Sequence, residues 1–110
     1  MMQIAIYQID MDRDDKRVKF ASFDRLEKYQ GSSEVNPSIY NKVYDGEVEA
    51  KNLEDVYYIF NMNRPQDFKG HSLSVSDVVE TTDETTSEKK WYYCDQFGFK
   101  EIAFDVSAAS

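Results

Sequence analysis

The chain has 110 residues, 41% of them hydrophobic and 31% charged, a size and balance typical of one folded domain. Its 21 acidic and 13 basic side chains give a formal net charge of −8, so nucleic-acid backbones and anionic membranes repel it. Direct DNA binding and membrane association are therefore not expected, and a partner attracted by charge should be basic.

The first third of the chain predicts a strand, a turn and a short helix. Residues 2–9 are apolar on both faces, which is typical of a strand inside a sheet. After an aspartate-rich turn, residues 17–20 are predicted to form a short second strand. Residues 23–30 carry apolar side chains every three positions and predict a helix, with Ser22 as its cap and Gly31 as its stop.

The middle of the chain predicts a hairpin and a second helix. Asp45-Gly46 is the dipeptide that best fits a two-residue turn, which predicts a β-hairpin with strands at residues 39–44 and 47–50. Asn52 begins the clearest helix, which ends before Pro65. Its apolar stripe at i, i+3, i+4 and i+7 consists of Leu53, Val56, Tyr57 and Phe60.

The last third of the chain predicts the main strands of the sheet. Apolar and polar residues alternate over residues 72–78, the pattern of a strand with one face in the core. The aromatic-rich residues 91–99 are predicted to pair with it, and Gly98 supplies a turn before a last strand at residues 100–104. Between the two pairing strands, residues 80–88 contain four carboxylates and are predicted to be a mobile loop.

These elements predict one α+β domain over residues 1–106. A mainly antiparallel sheet is expected, with two helices packed on one face. Residues 107–110 are small and polar and are predicted to be a frayed tail.

The aspartate-rich turn matches only the first part of a calcium-site pattern. The spacing of Asp10, Asp12 and Asp14 is similar to the start of a calcium-binding loop, in which alternate carboxylates converge on one ion. The sixth position of such a loop needs glycine and is Asp15, and the twelfth needs glutamate and is Ala21. The turn is therefore predicted to be solvated, and no metal or cofactor is expected.

The one histidine and the one cysteine define the remaining candidate chemistry. A closed zinc site needs four donors, which His71 and Cys94 do not supply. If the chain is an enzyme, the acid-base residues are predicted to be His71, Asp77 and Tyr93. The structural interpretation is preferred, with His71 in a turn and Cys94 as a small buried hydrophobic residue. A single cysteine and the absence of a signal-peptide pattern favour a cytoplasmic location.

Several segments together resemble a known family, the YodL-like domain. They are Tyr7-Gln8-Ile9, Val43-Tyr44-Asp45-Gly46, Tyr57-Tyr58-Ile59-Phe60-Asn61, residues 68–79 and Tyr93-Cys94-Asp95-Gln96-Phe97-Gly98-Phe99. The family occurs in Firmicutes and as a module of large polyvalent proteins on phages, plasmids and conjugative elements. The resemblance implies a mobile-element setting, and the family has no settled catalytic residues to carry over.

The charge and the resemblance lead to one preferred function and two alternatives. The preferred one is a small inhibitor of the anti-CRISPR type that binds a basic surface of a host defence effector, such as Cas9 or its guide RNA complex. The alternatives are a metal-independent ribonuclease that trims guide RNA, and a regulator of a host cytoskeletal or division protein. The residues predicted to bind the partner are Asp10, Asp12, Asp14, Asp15, Asp83, Glu84 and Glu88.

Overall fold

The computed structural model describes all residues, 1–110, as one five-stranded sheet with two α-helices. All neighbouring strands are antiparallel, which confirms the predicted α+β class. The strands are β1 (Met2–Ile9), β2 (Tyr40–Val48), β3 (Val78–Thr82), β4 (Lys89–Asp95) and β5 (Gly98–Ile102), in the order β2-β1-β3-β4-β5. The helices are α1 (Phe23–Gln30) and α2 (Leu53–Met62), and neither is long and apolar enough to cross a membrane.

The two helices cover opposite faces of the sheet, and the prediction that they share one face is wrong. Leu26 of α1 belongs to the same buried cluster as Tyr7 of β1. Val56 and Phe60 of α2 belong to the other cluster, with Ile6. Because successive side chains of a strand point to opposite faces, the interior strand β1 supplies both cores.

Both helices have the boundaries that their patterns predict. Helix α1 ends at Gly31, whose φ of +84° and bond from its N–H to the carbonyl of Glu27 form a left-handed cap. Helix α2 begins after Asn52 and buries Val56 and Phe60. Tyr57, expected in the same stripe, is instead 45% exposed.

The hairpin predicted around Asp45-Gly46 does not form. Residues 40–48 run on as the single strand β2, and its partner is β1. Gly46 serves a different purpose, since a Cβ there would lie 3.0 Å from the Tyr44 hydroxyl. The glycine therefore makes room for the Tyr44 ring along the strand rather than turning the chain.

Two other strand predictions shift or fail. The strand predicted at residues 72–78 begins only at Val78, because the preceding Ser76 has a φ of +85° and leaves the extended conformation. Residues 17–20 form no strand, since Arg17 and Phe20 also have positive φ. By contrast, the aromatic segment pairs with β3 as predicted, and β5 follows after a two-residue turn.

The acidic loop and the chain end are more ordered than predicted. Residues 80–82 belong to β3, and the turn that follows is held by the Asp83 carboxylate, which accepts hydrogen bonds from the N–H groups of Thr85 and Thr86. At the C-terminal end, Ser110 exchanges backbone hydrogen bonds with β2, donating to Tyr40 and accepting from Lys42. These bonds hold the tail that was predicted to fray.

The two helix N-termini differ in a testable way. The Asn52 side chain accepts a 2.9 Å hydrogen bond from the N–H of Asp55, whereas Ser22 makes no side-chain cap bond. We expect Asn52→Ala to lower the free energy of unfolding by about 1 kcal/mol and Ser22→Ala to leave it nearly unchanged. Urea denaturation measures both, and equal losses would contradict this assignment of the caps.

Candidate functional site

A buried polar cluster lies where β1 ends, and the Gln8 amide is at its centre. This side chain is 3% exposed, on a strand whose residues 4–7 and 9 are all hydrophobic. Its Nε2 donates to the His71 carbonyl at 2.8 Å and to Asp77 Oδ2 at 3.0 Å, and its Oε1 accepts from the His71 N–H at 3.1 Å. The amide thus pairs with the backbone of residue 71 as a neighbouring strand would.

Gly70 allows this close approach. A Cβ at Gly70 would lie 2.1 Å from Gln8 Oε1 and 3.1 Å from Val43 Cγ2, distances that packed atoms do not adopt. The glycine is therefore required for the pairing between Gln8 and the backbone of His71.

Asp77 is the most buried carboxylate of the chain, with 1% of its surface exposed. Its Oδ2 accepts from the N–H of Ser74 at 2.8 Å and from Gln8, but its Oδ1 has no hydrogen-bond partner. Burial raises the pKa of Asp77 to about 7, against the lowering effect of those two donors. The carboxyl group therefore titrates near neutral pH.

His71 is held as a neutral imidazole by its two neighbours. Its Nδ1 lies 2.7 Å from the Ser72 carbonyl and must carry the proton, so Nε2 accepts from Lys19 Nζ at 3.0 Å. Lys19 also donates to the Ile9 carbonyl at 2.9 Å. Burial lowers the pKa of His71, and the Lys19 ammonium lowers it further, although the bond to Ser72 opposes both.

The third member of the predicted acid-base set is placed elsewhere. The Tyr93 hydroxyl is buried and donates to the Ala21 carbonyl at 2.6 Å, and burial raises its pKa. Gln8 joins His71 and Asp77, but Tyr93 makes no hydrogen bond with either. Cys94 is buried as predicted, and burial raises the pKa of its thiol to about 12, so it is not a thiolate at neutral pH.

The first aspartate-rich turn is electrically balanced. Residues 10–19 contain four carboxylates and four basic side chains. Asp10 pairs with Arg13 at 3.4 Å and accepts from the N–H of Asp12, and Asp14 accepts from the N–H groups of residues 18 and 19. These carboxylates therefore order the turn itself and add little net negative potential.

The opposite end of the sheet is strongly acidic. Gln3 of β1 lies between Glu47 of β2 and Thr82 of β3, so the strand ends bring the following carboxylates to one edge. We call this edge the acidic end, and its exposed carboxylates are Glu47, Glu49, Asp83, Glu84 and Glu88. Lys89 and Lys90 in the adjoining strand, and Lys51 two residues after Glu49, oppose them in part. The acidic end is about 20 Å from the first turn, the length of β1 between Gln3 and Ile9.

Sequence reasoning missed the roles of Gln8, Lys19 and Glu80. Glu80 is 7% exposed and accepts from the Tyr7 hydroxyl at 3.3 Å and from the Trp91 indole at 3.0 Å. The signal for Gln8 was an amide between the hydrophobic Tyr7 and Ile9, which must find partners when buried. No local pattern marks Lys19 or Glu80, because their partners are distant in the chain.

The fold and the cluster define a small α+β domain whose polar residues mainly hold its loops to the sheet. The model of the YodL-like domain matches residues 3–104, and the chain belongs to that family. A search of curated proteins and a search of solved structures both find no match.

The titration of Asp77 gives a prediction about pH. The pKa of Asp77 is higher in the folded state than in the unfolded state. The contribution of this side chain to the free energy of unfolding is therefore fully present below about pH 4 and is lost as the pH rises to about 7. We expect Asp77→Asn to gain stability over the parent between pH 5 and 7, by at most about 1.4 kcal/mol per pH unit. Urea unfolding at several pH values, with the exposed Asp67→Asn as control, measures this; a difference that is flat with pH would refute it.

The contact at Gly70 gives a second prediction. We expect Gly70→Ala to cost about 1–3 kcal/mol of unfolding free energy, because the new Cβ meets a fixed Gln8 side chain. In a Gln8→Ala background the same change should cost much less, since the clash is gone. A double-mutant cycle in urea measures the coupling, and additive costs would show that Gln8 is not the cause.

Proposed function

We propose that this protein is a small inhibitor of the anti-CRISPR type, which binds a basic surface of a host defence effector. Cas9 or its guide RNA complex is the first candidate target. The observation that carries the proposal is the concentration of negative charge at the acidic end. The mobile-element setting implied by family membership is consistent with it.

The acidic end suits recognition of a channel that normally holds nucleic acid. Such channels bind phosphates through basic side chains, so a fixed group of carboxylates can compete for them. Asp83 is held in its turn by the N–H groups of Thr85 and Thr86, which lower its pKa and keep it ionised. The turn therefore presents charge from an ordered backbone, which reduces the entropy lost on binding.

The proposal uses only some of the carboxylates that the sequence predicts to bind the partner. The sequence-based prediction combined residues 10–15 with Asp83, Glu84 and Glu88, which lie at opposite ends of β1. The proposal uses the second group, together with Glu47 and Glu49. In the first group Asp10 pairs with Arg13 and Asp14 accepts from a backbone N–H, and the four basic side chains of residues 10–19 balance the four carboxylates there.

The two alternatives have less support. A ribonuclease needs accessible acid-base groups, but Asp77 is 1% exposed and Tyr93 is fully buried. A regulator of a host cytoskeletal or division protein would use the same acidic end on a different basic partner, and the experiment below separates it by its target.

Charge reversal tests the proposal. In a DNA-cleavage assay with Cas9 and guide RNA, we expect the protein to suppress cleavage. The triple variant Glu47→Lys, Glu84→Lys, Glu88→Lys should lose at least about tenfold in potency, because each change replaces an attraction by a repulsion. Suppression should also weaken as salt is raised.

The matched control is Asp24→Lys, Glu27→Lys, Glu34→Lys, which changes the net charge equally at exposed positions around α1. This control should keep its potency. Uninhibited Cas9, or equal loss in both triple variants, would overturn the proposal. Guide RNA shortened by the parent protein but not by His71→Ala would instead establish the ribonuclease alternative.

A further inference from the structure

A cationic cleft lies beside α1, at the end of the sheet away from the acidic end. Its volume is about 330 Å³, within the range of small-molecule sites. Arg17, Lys19 and Arg25 supply its charge, and Phe20 and Tyr29 supply aromatic walls. No carboxylate lines it, although the chain has 21 acidic side chains.

None of the three cations has an ion-pair partner. The ion pairs of the structure join Arg13 to Asp10, Lys42 to Asp45 and Lys89 to Glu80.

The carboxylates that neighbour these three cations either bind backbone N–H groups or lie outside the cleft. Asp14 binds the N–H groups of residues 18 and 19, and Asp95 binds those of residues 23 and 96. Asp14 and Asp15 line an adjoining hollow, which shares Arg17, Lys19 and Phe20 with the cleft. Like charges brought together without a counterion repel one another, so an anion entering the cleft is favoured.

The backbone holds Phe20 in a costly conformation that exposes its ring. Phe20 has a φ of +69° and Arg17 a φ of +56°, both unusual for residues with large side chains. The Phe20 N–H donates at 2.9 Å to Oγ of the fully buried Ser76, which fixes the conformation. The result is an aromatic ring that is 58% exposed beside the cations, and such strain is concentrated at functional sites.

The side chains of the cleft match two parts of one ligand. Guanidinium groups bind phosphate with paired hydrogen bonds, and Lys19 keeps one N–H free after its bonds to Ile9 and His71. Exposed aromatic rings stack on nucleobases. Arg25 and Tyr29 are four residues apart on α1 and so share one helix face.

We propose that this cleft binds a free nucleotide, with the phosphate held by Arg17, Lys19 and Arg25 and the base stacked on Phe20 or Tyr29. A free nucleotide is favoured over a nucleic-acid strand because the net charge of −8 repels a polyanion that extends beyond the cleft. The proposal is independent of the function assigned to the acidic end.

Titration of the isotope-labelled protein, followed by amide chemical shifts, tests the proposal. The probes are AMP, inorganic phosphate, adenosine and a ten-residue oligothymidylate. We expect AMP to shift resonances of residues 17–29 and to bind more tightly than phosphate or adenosine. The idea is overturned if phosphate alone binds as tightly as AMP, if the oligonucleotide binds more tightly than AMP, or if no probe shifts these residues.

Variants connect binding to the named residues. Arg17→Gln and Arg25→Gln should each weaken AMP binding by about tenfold, the ratio expected for losing one charge-assisted hydrogen bond. Phe20→Ala should weaken AMP binding while leaving phosphate binding unchanged.

The control is the double variant Lys51→Gln, Lys69→Gln, which removes two exposed charges elsewhere and should bind AMP like the parent. Equal effects of cleft and control variants would refute the assignment, and the thermal unfolding midpoint of each variant verifies that it is folded.

Discussion

The hydrogen bonds of the Gln8 amide are the contact on which the polar half of this molecule depends. They join the end of β1 to residues 68–77, a stretch without regular secondary structure. Without them, the Gln8 amide would be buried without partners, at about 1–3 kcal/mol for each unsatisfied group, and Asp77 Oδ2 would keep only the N–H of Ser74. Gly70 is the steric condition for the contact, because any larger residue would occupy the position of Gln8 Oε1.

The same cluster supports the loop that precedes α1. Lys19 reaches the His71 ring, and the Phe20 N–H reaches Ser76, so the loop is fixed to residues 71–77. Lys19 also fixes it to the sheet directly, through the bond from its ammonium group to the Ile9 carbonyl at the end of β1. A network of this kind is cooperative, since each bond holds the groups that make the next one. This explains how the strained conformation of Phe20 persists. The strain is distributed over a buried network that also satisfies the end of β1.

The sequence patterns that predicted an element correctly depend on local contacts. Where a pattern predicted the wrong element, residues distant in the chain form the contacts that decide the structure. Helix α1 could be bounded by Gly31 because a left-handed cap depends only on its own turn. Asp45-Gly46 gave a wrong hairpin prediction, because the preference of a dipeptide for a turn carries no information about β1 as a pairing partner. The alternation of residues 72–78 predicted the strand too early because a local bond competes with strand pairing: the Ser74 N–H donates to the Asp77 carboxylate. The Ser76 N–H does donate to the Cys94 carbonyl of β4, but the positive φ of Ser76 breaks the extended conformation.

The arrangement of the helices could have been inferred from a pattern that was already visible. Residues 2–9 are apolar on both faces, and a strand of that kind requires cover on both sides of the sheet. With two helices available, one on each face provides this cover, and loop residues such as Val18 and Leu73 complete it. The candidate site could not be inferred in this way, because the bonds from Gln8 to His71 and Asp77 span 63 and 69 residues.

The separation of charge explains how one acidic chain can present two surfaces of opposite sign. The acidic end and the cationic cleft lie at the two ends of β1, about 20 Å apart, whereas the Debye length at physiological salt is about 8 Å. Over that distance the solvent screens most of the field of one surface at the other. A ligand at either surface therefore meets the local charge rather than the net charge of −8, and the two surfaces act independently on small ligands. A long polyanion is different, because it extends beyond the cleft towards the carboxylates and meets both fields.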